Sequence, residues 1–345
     1  MLTTRQNVLR RFWYPVLPET ALQDKPVPFR LMGEDIVIWR SGSGEISALA
    51  DRCCHRTAKL SRGWVDGEYI VCHYHGWAYD CAGTCQRIPQ MPGQPASRAK
   101  VAGYRTNTRY GYVWVCMGDP LADIPEFEET NESGFRLVQQ FYESWNCAPF
   151  RLMENSLDPA HVNFVHKGTF GRPEDPVHPP GTLTENGEAG FTLEGRFSVK
   201  NPPGSKAVLH SDGGEQLSER RIRSIWYLPF MRKSRITYPN GLVHSIVTCA
   251  TPVDDGVTQV CQWAYRNDTE EQVSTVDINA FDAAIVAEDR YVLETTDFDV
   301  PLVAASGEER HMPTDAPGLL MRKMLLGLLA THGEAEVRRT RALAA

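Results

Sequence analysis

Apolar residues in the first third of the chain come in short runs broken by turns. Phe12-Trp13-Tyr14-Pro15-Val16 and Phe29-Arg30-Leu31-Met32 are two of them, and Asp35-Ile36-Val37-Ile38-Trp39 is a third, rich in β-branched residues. The turn Ser41-Gly42-Ser43-Gly44 leads into Ile46-Ser47-Ala48-Leu49, and Tyr110-Gly111-Tyr112-Val113-Trp114-Val115 is a further run. Short strands separated by Gly turns predict a small antiparallel barrel or sandwich. The pattern changes near Asp119-Pro120, where Leu121 to Ser133 is acidic and Pro-containing, as a linker or domain entry would be. The boundaries follow: a β-domain over 8–118 and a second domain over 119–345. Within the second, 147–168 is predicted to form helix. Pro173 to Gly213, with Pro179-Pro180-Gly181 and Pro202-Pro203-Gly204, is predicted to be loops and short strands. Strand patterns occupy 222–265, helical periodicity returns over 270–295, and Leu319 to Ala330 reads as an amphipathic C-terminal helix. The fold class is α+β.

Composition narrows the function classes. With 345 residues, 42% hydrophobic and 23% charged, the chain can bury two cores. Its formal net charge of −7 argues against general nucleic-acid binding, which needs clustered Lys and Arg. The basic run Arg220-Arg221-Ile222-Arg223 is short and mixed with acids, so it reads as solvated surface. No stretch reaches the ~20 apolar residues of a membrane span. The N-terminus lacks the apolar core of a signal peptide, so the expected compartment is the cytoplasm, with reduced thiols. Five of nine cysteines fall between 53 and 85, beside histidines, which suggests metal rather than a disulfide framework.

The first constellation is Cys53-x-His55 with Cys72-x-x-His75-Gly76-Trp77. Thiolates bind ferric iron and share charge with bridging sulfides, while imidazoles on a second iron raise the reduction potential. Two loops, each offering one Cys and one His, can hold one binuclear cluster. Tetrahedral zinc is the competing reading. Zinc-finger spacing groups Cys with Cys and His with His, whereas each half-site here is Cys then His. Cys54 and His73 are extra residues beside the four candidate ligands and remove none of them, and Cys81 and Cys85 read as free thiols.

The boxes resemble the Rieske iron–sulfur signature of ring-hydroxylating and demethylating oxygenases. Downstream, Asn155-x-x-Asp158-x-x-His161-x(4)-His166 resembles the iron-binding motif of Rieske oxygenase catalytic domains. That resemblance implies His161 and His166 as ligands of a mononuclear Fe(II). Two imidazoles and a carboxylate bind one face of the ion and leave the others open for O2 and substrate. A helical wheel puts Ile278, Phe281, Ile285 and Val292 on one apolar face, with Asp289 roughly 40° and Glu288 roughly 60° from its centre. The wheel barely separates the two acids. The similarity of Glu288-Asp289-Arg290 and its surroundings to the demethylase-like members favours Asp289, leaving Glu288, Asp282, Asp297 and Asp299 as alternatives. The same resemblance implies that Asp158 links the iron to a Rieske histidine, His75, of an adjacent subunit, and that Asn155 stands beside the iron ligands. A carboxylate at Asp158 is also placed to accept a hydrogen bond from His161.

The resemblance implies a Rieske [2Fe–2S] β-domain followed by an α+β catalytic domain with a central antiparallel sheet, assembled as a homotrimer. It implies a monooxygenase that uses O2 to hydroxylate or oxidatively demethylate a small aromatic or heterocyclic substrate. The chain has neither a Gly-x-Gly-x-x-Gly fingerprint nor plant-type ferredoxin spacing. Electrons from NAD(P)H are therefore expected through a separate ferredoxin or reductase. The second reading is a Rieske electron carrier or redox sensor without turnover. Residues 180–285 are expected to wall the substrate pocket, with His244, in the apolar run Leu242–Ile246, a candidate for hydrogen bonding to substrate.

Overall fold

The computed structural model describes residues 1–93, 99–177, 181–201, 205–211 and 217–339. Pro179, Pro180 and Pro202-Pro203-Gly204 lie outside them. The chain divides into two compact units, Leu9–Ile124 and Met1–Val8 with Pro125–Ala345. The first eight residues are tied to the second unit by hydrogen bonds, the Thr4 N–H donating to Asp255 and the Val8 N–H to Glu334.

Among its described residues the smaller unit is mainly β. Its strands are β1 (Tyr14–Pro18), β2 (Val27–Leu31), β3 (Glu34–Arg40), β4 (Ile46–Ala50), β5 (Trp64–Asp66), β6 (Tyr69–Val71), β7 (Ala78–Tyr79), β8 (Cys85–Arg87), β9 (Gly103–Arg109) and β10 (Tyr112–Cys116). Six form an antiparallel sheet in the order β1-β10-β9-β4-β3-β2, and β5 to β8 form a four-stranded meander. Ile36 to Trp39 in β3 and Tyr112 to Cys116 in β10 are buried without interruption, so both faces of those strands are covered. Val37, Trp39 and Leu49 pack with Cys53, Cys72, Tyr79 and Cys85, which places the two Cys–His loops against this core.

The larger unit is built on a seven-stranded antiparallel sheet in the order β11-β17-β16-β15-β14-β13-β12. Its strands are β11 (Arg136–Trp145), β12 (Thr182–Glu185), β13 (Gly190–Lys200), β14 (Leu217–Tyr227), β15 (Met231–Thr237), β16 (Val243–Asp254) and β17 (Val257–Arg266). The region expected to hold only loops and short strands thus contains an eleven-residue strand, β13. Its Phe191, Leu193, Phe197 and Val199 alternate with polar positions, a period-2 signal that the Gly and Pro content obscured. Among the described residues, four α-helices accompany the sheet: α1 (Pro149–Leu157), α2 (Val162–Val165), α3 (Thr275–Leu293) and α4 (Ala316–Thr331).

Two expectations about helices need correction. The predicted helix over 147–168 is two helices, because Asp158 precedes Pro159 and takes an extended conformation (φ −87°, ψ 117°). A residue before proline is pushed out of the α region by the ring. On α3, Val292 is exposed and Leu293 is buried instead. The inward face therefore runs Ile278, Asp282, Ile285, Asp289, Leu293, and Asp289 sits within it rather than beside it.

Strand alternation sorts the charged residues of the sheet. Lys233, Arg235 and Ser245 point to one face, where they converge on buried Glu129. At the end of β17, Asp268 accepts from Arg136, Arg266 and His210, so the fully buried Arg266 is paired.

Candidate functional site

The two Cys–His loops share one backbone design. The Thr57 N–H donates to the Cys53 carbonyl at 3.0 Å, and the Gly76 N–H donates to the Cys72 carbonyl at 3.0 Å. The Cys53 N–H in turn reaches Ala58 and the Cys72 N–H reaches Trp77, both at 2.8 Å. Each turn closes with a left-handed residue four positions after its cysteine, Thr57 (φ 60°) and Gly76 (φ 72°). Glycine accepts this conformation freely, and a side chain at 76 would also press on Pro89 at 3.1 Å. A β-branched residue does not, so Thr57 stores local strain of a kind found at functional sites.

These turns bury the Cys53 and Cys72 thiols and bring the His55 and His75 rings to 4.5 Å between centroids. Trp77 lies flat against His55, 4.5 Å between ring centroids and 1° between planes. The Tyr79 hydroxyl is 3.0 Å from Cys53 Sγ and 3.3 Å from Cys54 Sγ, contacts that no local motif signals. His55 Nδ1 is buried and has no hydrogen-bond partner. Such an orphaned nitrogen fits a metal ligand. None of the nine cysteines is in a disulfide; burial raises Cys81 to about 12 and Cys85 to about 11, and His73 is exposed.

Among the described residues, the groups of three or more His, Cys, Asp or Glu whose donor atoms lie within 4.8 Å of one another reduce to one, His161, His166 and Asp289. Cys53, His55, Cys72 and His75 do not converge on a single point, as the four ligands of one zinc ion would. A two-iron cluster separates its thiolate and imidazole ends and suits this set.

The second site lies in the larger unit. His161 and His166 flank the short α2, and α3 supplies Asp289. Asp289 Oδ1 is 3.5 Å from His161 Nε2 and 3.4 Å from His166 Nε2. Asn155 Nδ2 donates to the same oxygen at 2.9 Å. The far nitrogens are held too. His166 Nδ1 is 2.8 Å from Glu288 Oε2, which also accepts from Thr169. His161 Nδ1 is 2.5 Å from the Asp158 main-chain carbonyl. The Asp158 carboxylate instead accepts backbone N–H groups of Ala160 and His161, so the expected bond from its side chain to the His161 ring is not made. Burial pushes His161 below its ordinary pKa. Burial also acts to lower His166, but hydrogen bonding to Asp289 and Glu288 outweighs it and raises the group. Of the alternative carboxylates, Glu288 faces the back of His166, Asp282 lies 3.2 Å from His244 Nε2, and Asp299 bonds Arg338. Asp297 is likewise apart from the three converging groups. Two imidazoles and a carboxylate on one side, each braced from behind, fit a facial ferrous site with open positions.

The three groups open onto a cavity of about 250 Å³. One face of the sheet forms its wall through alternate residues: Arg220, Ile222 and Ser224 from β14; Arg232, Ser234 and Ile236 from β15; His244, Ile246 and Thr248 from β16. α1 and α3 add Leu152, Asn155, Phe281 and Ile285. His244 is buried in this wall, as the apolar run around it suggested. Arg220 corrects the reading of its basic run as solvated surface: it is only 7% exposed, while Arg221 beside it is exposed. Strand alternation divides such a run between two faces.

Residues 12–105 match the Rieske [2Fe-2S] domain family, and residues 145–331, more than half of the chain, match the vanillate O-demethylase oxygenase C-terminal domain family. The methylxanthine N1-demethylase NdmA of Pseudomonas putida is 30% identical over 97% of this chain and 93% of its own. The solved structure of NdmA from strain CBB5 with caffeine superimposes with a TM-score of 0.82 at 27% identity, covering 96% of this chain and 94% of that one. Dicamba monooxygenase bound to dicamba, at 21% identity, shares the fold with a TM-score of 0.79 over 94% of this chain and 98% of its own. The chain thus belongs to the Rieske non-heme iron oxygenases of the vanillate O-demethylase type, enzymes with a Rieske [2Fe–2S] cluster and a mononuclear iron.

Proposed function

We propose that this chain inserts one oxygen atom from O2 into a C–H bond of a small aromatic or heterocyclic molecule, either as a hydroxylation or as the first step of an oxidative demethylation. In the demethylation, a methyl group on O or N becomes hydroxymethyl, with O2, two electrons and two protons consumed and water formed. The hydroxymethyl group then leaves as formaldehyde. The single observation that carries the reading is the meeting of His161, His166 and Asp289 in the lining of a mostly apolar pocket. The likeness to NdmA, a methylxanthine N1-demethylase, supports the demethylating branch.

Cys53, His55, Cys72 and His75 would hold the cluster, and His161, His166 and Asp289 the mononuclear iron. When bound, the iron supplies the centre for O2 activation and the cluster supplies electrons received from NAD(P)H through a separate reductase. The chain's own residues hold these ligands in place. Glu288 and the Asp158 carbonyl fix the two ligand rings, and Asn155 orients Asp289. Ile222, Ile236, Ile246 and Phe281 give the pocket apolar lining that excludes water. Asp158 would relay electrons from His75 of a neighbouring copy in a homotrimer, a role that rests on the motif it shares with the family. Cysteines that hold a cluster or stand unpaired by disulfides suit a reducing compartment, and so the cytoplasm. No helix among the described residues is long and apolar enough to cross a membrane.

Metal analysis combined with turnover tests the reading. The purified chain should contain three irons, and with a reductase and NADH it should release formaldehyde from a methoxylated or N-methylated aromatic while consuming O2. Two irons and no oxygen consumption across a broad substrate panel would instead indicate an electron carrier or sensor.

A further inference from the structure

Strand β15 carries three cations, and two of them find a carboxylate on the far face of the sheet, where Lys233 and Arg235 both reach Glu129. Arg232 points the other way, into the pocket, on the same face as Ser234 and Ile236. Among the described residues no carboxylate stands at ion-pair distance from it. Its Nη1 donates to the Ser156 carbonyl at 2.6 Å, and its Nε is buried without a hydrogen-bond partner. Ser156 lies in the last turn of α1, where carbonyls lack partners inside the helix and form the negative end of its dipole. That contact holds a guanidinium in place but does not neutralise it. Burial pushes the Arg232 pKa down to about 10, against the pull of the Asp289 charge, so the group is a cation at neutral pH.

The carbonyl it holds belongs to the residue after Asn155, and Asn155 Nδ2 donates to Asp289 Oδ1. An uncompensated charge therefore stands beside the group that orients the carboxylate ligand. The pocket's acids are engaged elsewhere: Asp289 with Asn155 and the two histidines, Asp282 with His244 and Gln140, Asp158 with backbone N–H groups. A ferrous ion held by two neutral imidazoles and one carboxylate keeps one net positive charge, and a ferric ion keeps two. A fixed cation nearby opposes the second more than the first. We propose that Arg232 sets the redox balance of the mononuclear iron, favouring the ferrous state through its charge and so driving an electron from the cluster to the ferric ion. One electron leaves the reduced cluster and one ferric ion becomes ferrous, with nothing else consumed. For unit charges on the order of 10 Å apart at an effective dielectric constant of about 20, the ferrous-to-ferric ratio changes about tenfold. Arg232 is a positioning residue in this scheme, acting through the charge of the site without touching substrate.

Redox titration of the iron-loaded protein with chemical mediators tests this without turnover. The high-spin ferric resonance reports the mononuclear iron, and the resonance of the reduced cluster is the internal control. R232Q and R232M should each lower the ferrous-to-ferric ratio about tenfold at a given potential, a midpoint lower by about 59 mV, with the cluster unmoved. R232K keeps the charge and should stay within about twofold of wild type at pH 6.5. It also lets the charge be removed from a folded protein, because a buried lysine loses its proton at a pH where arginine keeps its own. Raising the pH should therefore lower the R232K midpoint by the same step relative to wild type. A residue that only capped α1 would weaken ferrous binding in all three variants and leave the midpoint independent of charge. The proposal is overturned if R232Q or R232M keeps the wild-type midpoint, or if R232K at pH 6.5 shifts as far as they do. Should neither neutral variant fold, an R232K midpoint that tracks wild type throughout the pH titration overturns it. The inference rests on His161, His166 and Asp289 holding iron. Failure of that reading shows first, as two irons per chain, whereas a third iron with an unmoved midpoint is a failure of Arg232 alone.

Discussion

His161 turns Nδ1 toward the main-chain carbonyl of Asp158, 2.5 Å away, while the Asp158 carboxylate stays 3.9 Å from that nitrogen. Ring orientation therefore does not depend on the side chain at 158. Asp158→Asn should keep three irons per chain and a normally reducible cluster, yet lose about 10- to 100-fold in turnover, the range for losing the outer partner of a ligating histidine, which on the proposed relay is His75 of a neighbouring copy. Metal analysis and stopped-flow reduction of the cluster check the first part, and steady-state oxygen uptake the second. Loss of the third iron would show that the carboxylate supports the ligand set after all.

Asp289 and its neighbour Glu288 should separate cleanly by substitution. Asp289→Ala removes the group shared by both imidazoles and should abolish the third iron, leaving the visible spectrum of the cluster unchanged. Glu288→Gln leaves the three converging atoms in place and weakens only the brace on His166 Nδ1, so iron affinity should fall about 10- to 100-fold. Titration with ferrous iron under anaerobic conditions distinguishes them. Equal loss in both variants would contradict the assignment of Asp289 as the ligand.

His75→Cys exchanges an imidazole for a thiolate at the less buried, histidine end of the cluster loops. An added negative charge should lower the reduction potential and shift or abolish the Rieske paramagnetic resonance signal. A signal with unchanged g-values would remove His75 from the ligand set.

Asp268 gives a pH prediction away from both metal sites. Burial works to raise its pKa, but hydrogen bonds from Arg266, His210 and Arg136 outweigh this and hold it at about 2, below the ordinary 3.8. A depressed carboxylate contributes stability that is fully present above the unfolded value and lost as pH falls through the folded one. The contribution, roughly 2 kcal/mol, should therefore disappear between about pH 4 and pH 2. Urea unfolding at pH 7 should find Asp268→Ala less stable by about 3–5 kcal/mol, since Arg266 is left buried and unpaired. A difference under about 1 kcal/mol would count against the pairing.

Local spacing made much of the site legible. The Cys–His boxes and the His161–His166 pair lie within a few residues of each other, so their chemistry is written in short segments. Asp289 needed the helical period of α3 as well, and an error of one residue, Val292 for Leu293, displaced the face on which it stands. Pro159 announces the break between α1 and α2 in the sequence, but the His161 bond to a main-chain carbonyl leaves no mark in any side chain. Arg220 was hidden for a different reason. A basic run looks like one patch until strand alternation assigns its members to opposite faces, and β14 became evident as a long strand only when paired with β13.

α3 carries Asp282 and Asp289 on the same face, two turns apart, with His244 beside the first and the histidine pair beside the second. At a rise of 1.5 Å per residue the two acids stand about 10 Å apart along a rigid axis. The helix is thus a ruler laid against the pocket, graduated at both ends. Lengthening it by a single residue between those marks would turn one end by ~100° relative to the other. Variation in the molecules accepted should therefore arise from the opposite, strand-built wall, where a side chain can be exchanged without disturbing the measure.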